Sequence, residues 1–116
     1  MEDLEAVASA TEVLTVQRAA SRVRASEALR AYVVAVLQRT RSDVRVELGA
    51  SPRAGLLLLR AAKARGLLNG RDHALPDDVQ ALAESVLAHR LVLAPESGED
   101  QRRPVIADAL AATPAL

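Results

Sequence analysis

A mainly α fold, a small bundle of four to five helices with at most a minimal two-stranded pairing, is what this sequence predicts. Three observations carry it. Half the residues are apolar and only one, Tyr32, is aromatic, so the core must be leucine, valine and alanine, a composition that favours helix. The stretch Gly49–Arg71 reads as one helix with both ends marked. The segments on either side of it, Ser26–Arg41 and Pro76–Arg90, repeat apolar residues at i, i+3, i+4 and i+7.

Taken in order, residues 1–20 read as a short acidic lead and one helix, with Ser9-Ala10-Thr11-Glu12 fitting a capping box. Val13, Leu14, Gln17 and Ala20 continue along one side. Arg18–Arg24 is a basic connector, read as a solvated joint. Ser26 then caps the clearest amphipathic helix, whose stripe is Leu29, Tyr32, Val33, Val36 and Leu37, with Tyr32 in the core and its hydroxyl at the surface. Val44–Leu48 alternates and reads as a short extended piece aimed at the next helix.

That helix is the centre of the prediction. Ser51 supplies an N-cap hydroxyl, Pro52 sits where the first residue has no N–H to lose, and Asn69-Gly70 offers a left-handed stop. Between them Leu56–Leu59, Ala61, Ala62 and Ala64 make most of the circumference apolar, which places the helix among others. Arg71–Pro76 is a turn. Pro76 opens a further helix with Asp77 and Asp78 at its positive end, a buried stripe of Val79, Leu82, Ala83, Val86 and Leu87, and His89 and Arg90 at its negative end. Leu91–Leu93 is a candidate strand to pair with 44–48. Ala94–Arg103 is a surface loop, Pro104–Ala112 a last short helix and Thr113–Leu116 a frayed tail.

At 116 residues this is one domain, with residues 10–112 expected to be ordered. Fifteen basic and fifteen acidic residues leave no net charge, hence no general attraction to nucleic acid or anionic lipid. Cysteine is absent, which excludes disulfides, thiolate metal sites and cysteine nucleophiles. No apolar run approaches the ~20 residues of a membrane span, and Met1-Glu2-Asp3 is acidic where a signal peptide is basic, so the expected compartment is the cytoplasm.

The catalytic inventory is thin, and no catalytic residue is expected in the isolated chain. Neither GxxxxGK[ST] nor GxGxxG occurs. His73 and His89 lack a partner at ligand spacing, so no metal site is expected. Asp77 and Asp78, adjacent on a helix, point in different directions and are explained by helix-end electrostatics. Ser51 lacks the flanking glycines of a nucleophile elbow.

One residue is out of place. Arg53 lies in the first turn of the central helix, where the macrodipole disfavours a cation by roughly 0.3–1 kcal/mol. A guanidinium beside exposed amides makes a phosphate site. The alternative is that Arg53 points into water or pairs with Glu47. A separate alternative reads the chain as a small DNA-binding or protein-interaction domain. In it the Asp78–Arg90 helix is the reader, with Arg18, Arg22, Arg24, Arg39, Arg41 and Arg45 as the basic cluster. Net neutrality and the missing base-stacking aromatics count against nucleic acid.

The run LGASPRAGLLLLR at Leu48–Arg60, the continuation GRD…PDDV…VLAHR, and the Thr40-Arg41 pair resemble the C-terminal lid domain of MoxR-type AAA+ ATPases. The likeness covers roughly residues 10–112. It implies a helical lid that follows a nucleotide-binding α/β core, with Arg53 similar to the sensor 2 arginine that contacts the γ-phosphate, and Ala50, Ser51 and Pro52 around it. ATP and Mg2+ would then belong to the full-length enzyme, with none bound by this domain alone. The implied partners are the core and neighbouring subunits of a ring, in a chaperone-like machine whose client is not legible. Two departures stand out. Walker A, Walker B, sensor 1 and the arginine finger are missing, and His73-Ala74-Leu75 replaces an aromatic and a Thr before Pro76, removing a cap hydroxyl worth about 1 kcal/mol.

Overall fold

The computed structural model describes residues 9–97 and 100–114. Within them the chain forms five α-helices, α1 (Ala10–Ser21), α2 (Glu27–Ser42), α3 (Pro52–Leu68), α4 (Pro76–Leu87) and α5 (Arg102–Ala112). Two short strands, β1 (Val46–Leu48) and β2 (Val92–Leu93), pair antiparallel, and single 3-10 turns occupy Ala88–Arg90 and Pro95–Ser97. None of the described helices is long and apolar enough to cross a membrane. The acidic lead at residues 1–8 lies outside the described residues.

The caps sit where local chemistry puts them. Ser9 and Glu12 close a reciprocal capping box on α1, and the Ser26 hydroxyl accepts from the Leu29 N–H at 3.0 Å. Ser51 accepts from the Ala54 N–H at 3.3 Å, with Pro52 first in α3. At the other end Gly70 takes φ 75°, the Arg71 N–H reaches the Gly66 carbonyl and the Gly70 N–H the Leu67 carbonyl, each at 2.9 Å. That pair of bonds is a Schellman motif, and only glycine enters its left-handed corner without strain.

Helix α3 is central, packed against α1, α2 and α4. The core joins Leu29, Val36, Leu58, Val79, Leu87 and Ile106, all essentially without solvent exposure. All five residues of the expected α2 stripe are buried. Tyr32 goes deeper than expected. It is 2% exposed, and its hydroxyl accepts from the Gln80 side chain at 3.1 Å instead of meeting water.

Three other expectations are corrected. Arg18–Arg24 is no simple solvated joint: Val23 is buried, and the Arg24 backbone exchanges bonds with the Asp72 carbonyl and the Ala74 N–H, each at 2.8 Å. This stitches the α1–α2 connector to the α3–α4 turn, satisfying backbone groups that a loop would leave to water. Thr113 is not frayed, because it is buried with its hydroxyl donating to the Ala109 carbonyl at 2.7 Å. And α3 is not enclosed all round: Leu56 is 60% exposed, on a face that α2 flanks without covering.

Candidate functional site

The approach to α3 is held by α2. Gly49 packs so closely on Arg41 that a Cβ there would lie 2.8 Å from the Arg41 Cα. One residue on, both backbone groups of Ala50 are gripped by consecutive α2 side chains. The Thr40 hydroxyl donates to the Leu37 carbonyl at 2.6 Å and its oxygen accepts from the Ala50 N–H at 3.3 Å, while Arg41 Nε donates to the Ala50 carbonyl at 3.1 Å. Thr40 and Ala50 are fully buried. The clamp therefore fixes where Ser51 caps, where Pro52 starts the helix, and where Arg53 emerges.

Ala50 itself offers no free backbone atom to a ligand; its part is to position Ser51, Pro52 and Arg53. Ser51 is committed to the Ala54 N–H, Pro52 has no N–H, and the Gly55 N–H already binds the Ser51 carbonyl at 3.3 Å. Of the first-turn amides only that of Arg53 remains without a partner among the described residues. The anion-binding capacity of this helix end thus resides in one guanidinium more than in a nest of amides.

Arg53 is exposed, and no carboxylate among the described residues comes within ion-pair distance of it. Glu47 is not its partner. No acidic residue occupies the first turn of α3 to offset the cation. Of the arginines weighed as a nucleic-acid surface, Arg24 pairs with Asp72, and Arg45 with both Asp43 and Asp108. The proposed reading end of α4 is also closed, because Asp78 is wholly buried.

Asp78 was legible only as a helix-end charge, and its role is larger. Arg71 grips it with two bonds of 2.7 and 2.8 Å, Arg65 donates at 2.7 Å, and the Leu75 N–H donates at 2.7 Å. Leucine has no cap acceptor, so only the half of the capping box running from Asp78 back to residue 75 survives. The Arg71 bonds, then those of Leu75 and Arg65, hold the Asp78 carboxyl well below the usual carboxylate range against the opposing effect of burial. This network ties the end of α3 and the following turn to α4.

The architecture has counterparts in known proteins. Residues 38–111 match the AAA lid domain family. The chain belongs to that family, in its MoxR-type branch. It is 38% identical over 109 residues to chaperone MoxR1 of Mycobacterium tuberculosis, covering 86% of this chain and 29% of the relative. With the YeaC protein of Bacillus subtilis it shares 41% identity over 97 residues, 84% of this chain and 30% of the relative. A solved structure of a Cytophaga hutchinsonii protein assigned to the ATPases superposes with a TM-score of 0.84 at 30% identity, over 91% of this chain and 36% of that one. The chain therefore spans about three tenths of the length of the relatives it matches.

Proposed function

We propose that this AAA lid domain is the nucleotide-sensing part of a MoxR-type ATPase, with Arg53 as its sensor 2 arginine. The observation that carries the reading is an exposed guanidinium, unpaired among the described residues, three residues beyond a clamped Ala50 at the end of a helix that electrostatically disfavours it. A cation kept there against the helix dipole gains its compensation from an anion supplied by another domain. In this reading ATP and its Mg2+ are held by the nucleotide-binding core, and the γ-phosphate supplies the negative charge that Arg53 meets. The chain's own contribution is positional. Thr40 and Arg41 hold Ala50, Ala50 places the cap, and α3 carries any displacement of Arg53 into the Asp78 network and α4.

Loss of the terminal phosphate then releases the lid, a ligand-switched domain movement within a ring of like subunits. The name of the mycobacterial relative supports a chaperone-like role for such a machine.

The test is Arg53→Ala in the intact enzyme, with the lid joined to its core. ATP turnover is expected to fall roughly a hundredfold, the scale seen when one preorganised charge-stabilising donor is removed. The amide spectrum and thermal midpoint of the isolated lid should be unchanged or slightly improved, since a disfavoured cation has left the helix end. Turnover equal to wild type would refute the assignment.

A further inference from the structure

The chain is neutral as a whole, but its charges are not evenly spread. Between α2 and α3 runs an open groove of about 700 Å³. Five basic residues line it, Arg30 and Arg41 from α2 and Arg53, Arg60 and Lys63 from α3, with no acidic residue among the lining. None of the five forms an ion pair among the described residues, whereas Arg24, Arg45, Arg65, Arg71, Arg102 and Arg103 all do. One third of the chain's fifteen cations thus borders one trough without a counter-charge.

The floor is aliphatic. Val33 and Leu37 lie beneath, and Val34, Leu56 and Leu59 stand along it, with Val34 51% and Leu56 60% exposed. Gly55 makes the trough possible by letting α2 approach: its missing Cβ would lie 2.6 Å from Leu37 Cδ1. The two helices run antiparallel here, for Arg41 lies beside the start of α3 and Arg30 shares its end of the groove with Lys63. From Pro52 to Lys63 the floor is about 16 Å long, or three helical turns.

We infer that this groove docks an acidic amphipathic α-helix of a partner protein, its leucine-type face on the α2–α3 floor and its carboxylates beside the basic rims. The charge pattern selects the occupant. An apolar strip bordered on both sides by cations that have no ion-pair partner among the described residues complements a helix with apolar residues at i, i+3, i+4 and i+7 and glutamates flanking them. Nucleic acid fits less well, because the floor offers aliphatic side chains where a strand needs aromatic stacking platforms. A second copy fits less well too, since it would bring a second set of cations to the same trough. Arg53, assigned above to the phosphate, is left out of the docking contacts, which rest on Arg30, Arg41, Arg60 and Lys63, and every variant below retains it.

The test titrates the chain into a fluorescein-labelled synthetic helix of about four turns with leucines at i, i+3, i+4 and i+7 and glutamates on its flanks. Anisotropy reports binding, and amide shifts should map to Val33–Leu37 and Leu56–Lys63. The pair Arg60→Glu and Lys63→Glu is expected to weaken binding at least about tenfold, and Leu56→Ser alone to weaken it severalfold. A lysine-for-glutamate peptide should prefer the doubly reversed variant, a swap that loss of folding cannot produce. Amide spectra of both variants check the fold, which is expected to persist because Leu56, Arg60 and Lys63 all line the open groove and none is buried. The inference is overturned if the peptide does not bind or if Leu56→Ser is silent. It is equally overturned if polyglutamate without leucines or single-stranded DNA binds as tightly, or if the groove instead drives concentration-dependent self-association.

Discussion

Asp78 shows how much one side chain can hold when it is taken out of water. It is a fully buried carboxylate satisfied by two arginines and a backbone amide. Asparagine in its place cannot accept the same set of bonds, and it leaves two guanidinium groups facing an uncharged amide. Asp78→Asn is therefore expected to lower stability by about 3 kcal/mol at neutral pH, the cost of breaking a buried pair by removing one partner. The pH dependence has a definite sign. The folded-state pKa is depressed, so the unfolded chain binds the proton first, and stability contributed by Asp78 is present above about pH 4 and is lost as pH falls toward the folded value. Urea titrations of wild type and variant across the acid range measure this. Asp43, Asp72 and Asp100 also have lowered values and shape both curves, so the difference between the curves isolates Asp78. Curves with the same acid slope would show that the network contributes nothing specific.

At the scale of elements, the entrance to α3 is set by its neighbour. Gly49 has no left-handed backbone to accommodate; among the described residues only Gly70 has positive φ. Space is the reason for it, because a Cβ would meet backbone atoms of Arg41, the Cα at 2.8 Å and the N at 2.9 Å, which cannot rotate away. Gly49→Ala should push the 49–51 segment off α2, lengthen the Thr40 and Arg41 bonds to Ala50, and cost about 1–3 kcal/mol. A thermal melt together with the amide positions of Ala50–Ala54 checks it; an unshifted melt would mean that α2 yields more easily than this packing implies. The same contact marks the limit of what the sequence discloses. Helix ends were legible because Ser9, Ser26, Ser51 and Gly70 act on atoms three or four residues away. The pairing of β1 with β2 was legible from the alternation in Val44–Leu48 and the short apolar run Leu91–Leu93. The Thr40–Ala50 clamp and the Arg65–Asp78 and Arg71–Asp78 bonds were not, since they join side chains that only the folded path brings together, and no periodicity encodes them. Leu56 misled for the related reason that an apolar run says nothing of which neighbour is absent.

For the molecule as a whole, the measurements 47 × 41 × 19 Å describe a slab about two helices thick, within which the two ends of α3 are anchored differently. One end carries Arg53, already oriented by α2, while the Asp78 network closes the other end of α3 against α4. In the reading proposed above, such an object meets a phosphate that another domain holds. At the helix end itself, a single exposed guanidinium and one amide without a partner among the described residues resemble one wall of a site whose other walls lie elsewhere. The isolated chain is accordingly expected to bind ATP with a Kd of about 1 mM or weaker, a free energy of only about −4 kcal/mol. The contacts of Arg53 alone are worth no more than that after the entropy of association is subtracted. Calorimetry or amide titration with ATP decides it, and the Arg53→Ala chain serves as the reference. Micromolar affinity that survives Arg53→Ala would place a nucleotide pocket somewhere other than the α3 entrance and would separate the phosphate reading from this helix end altogether.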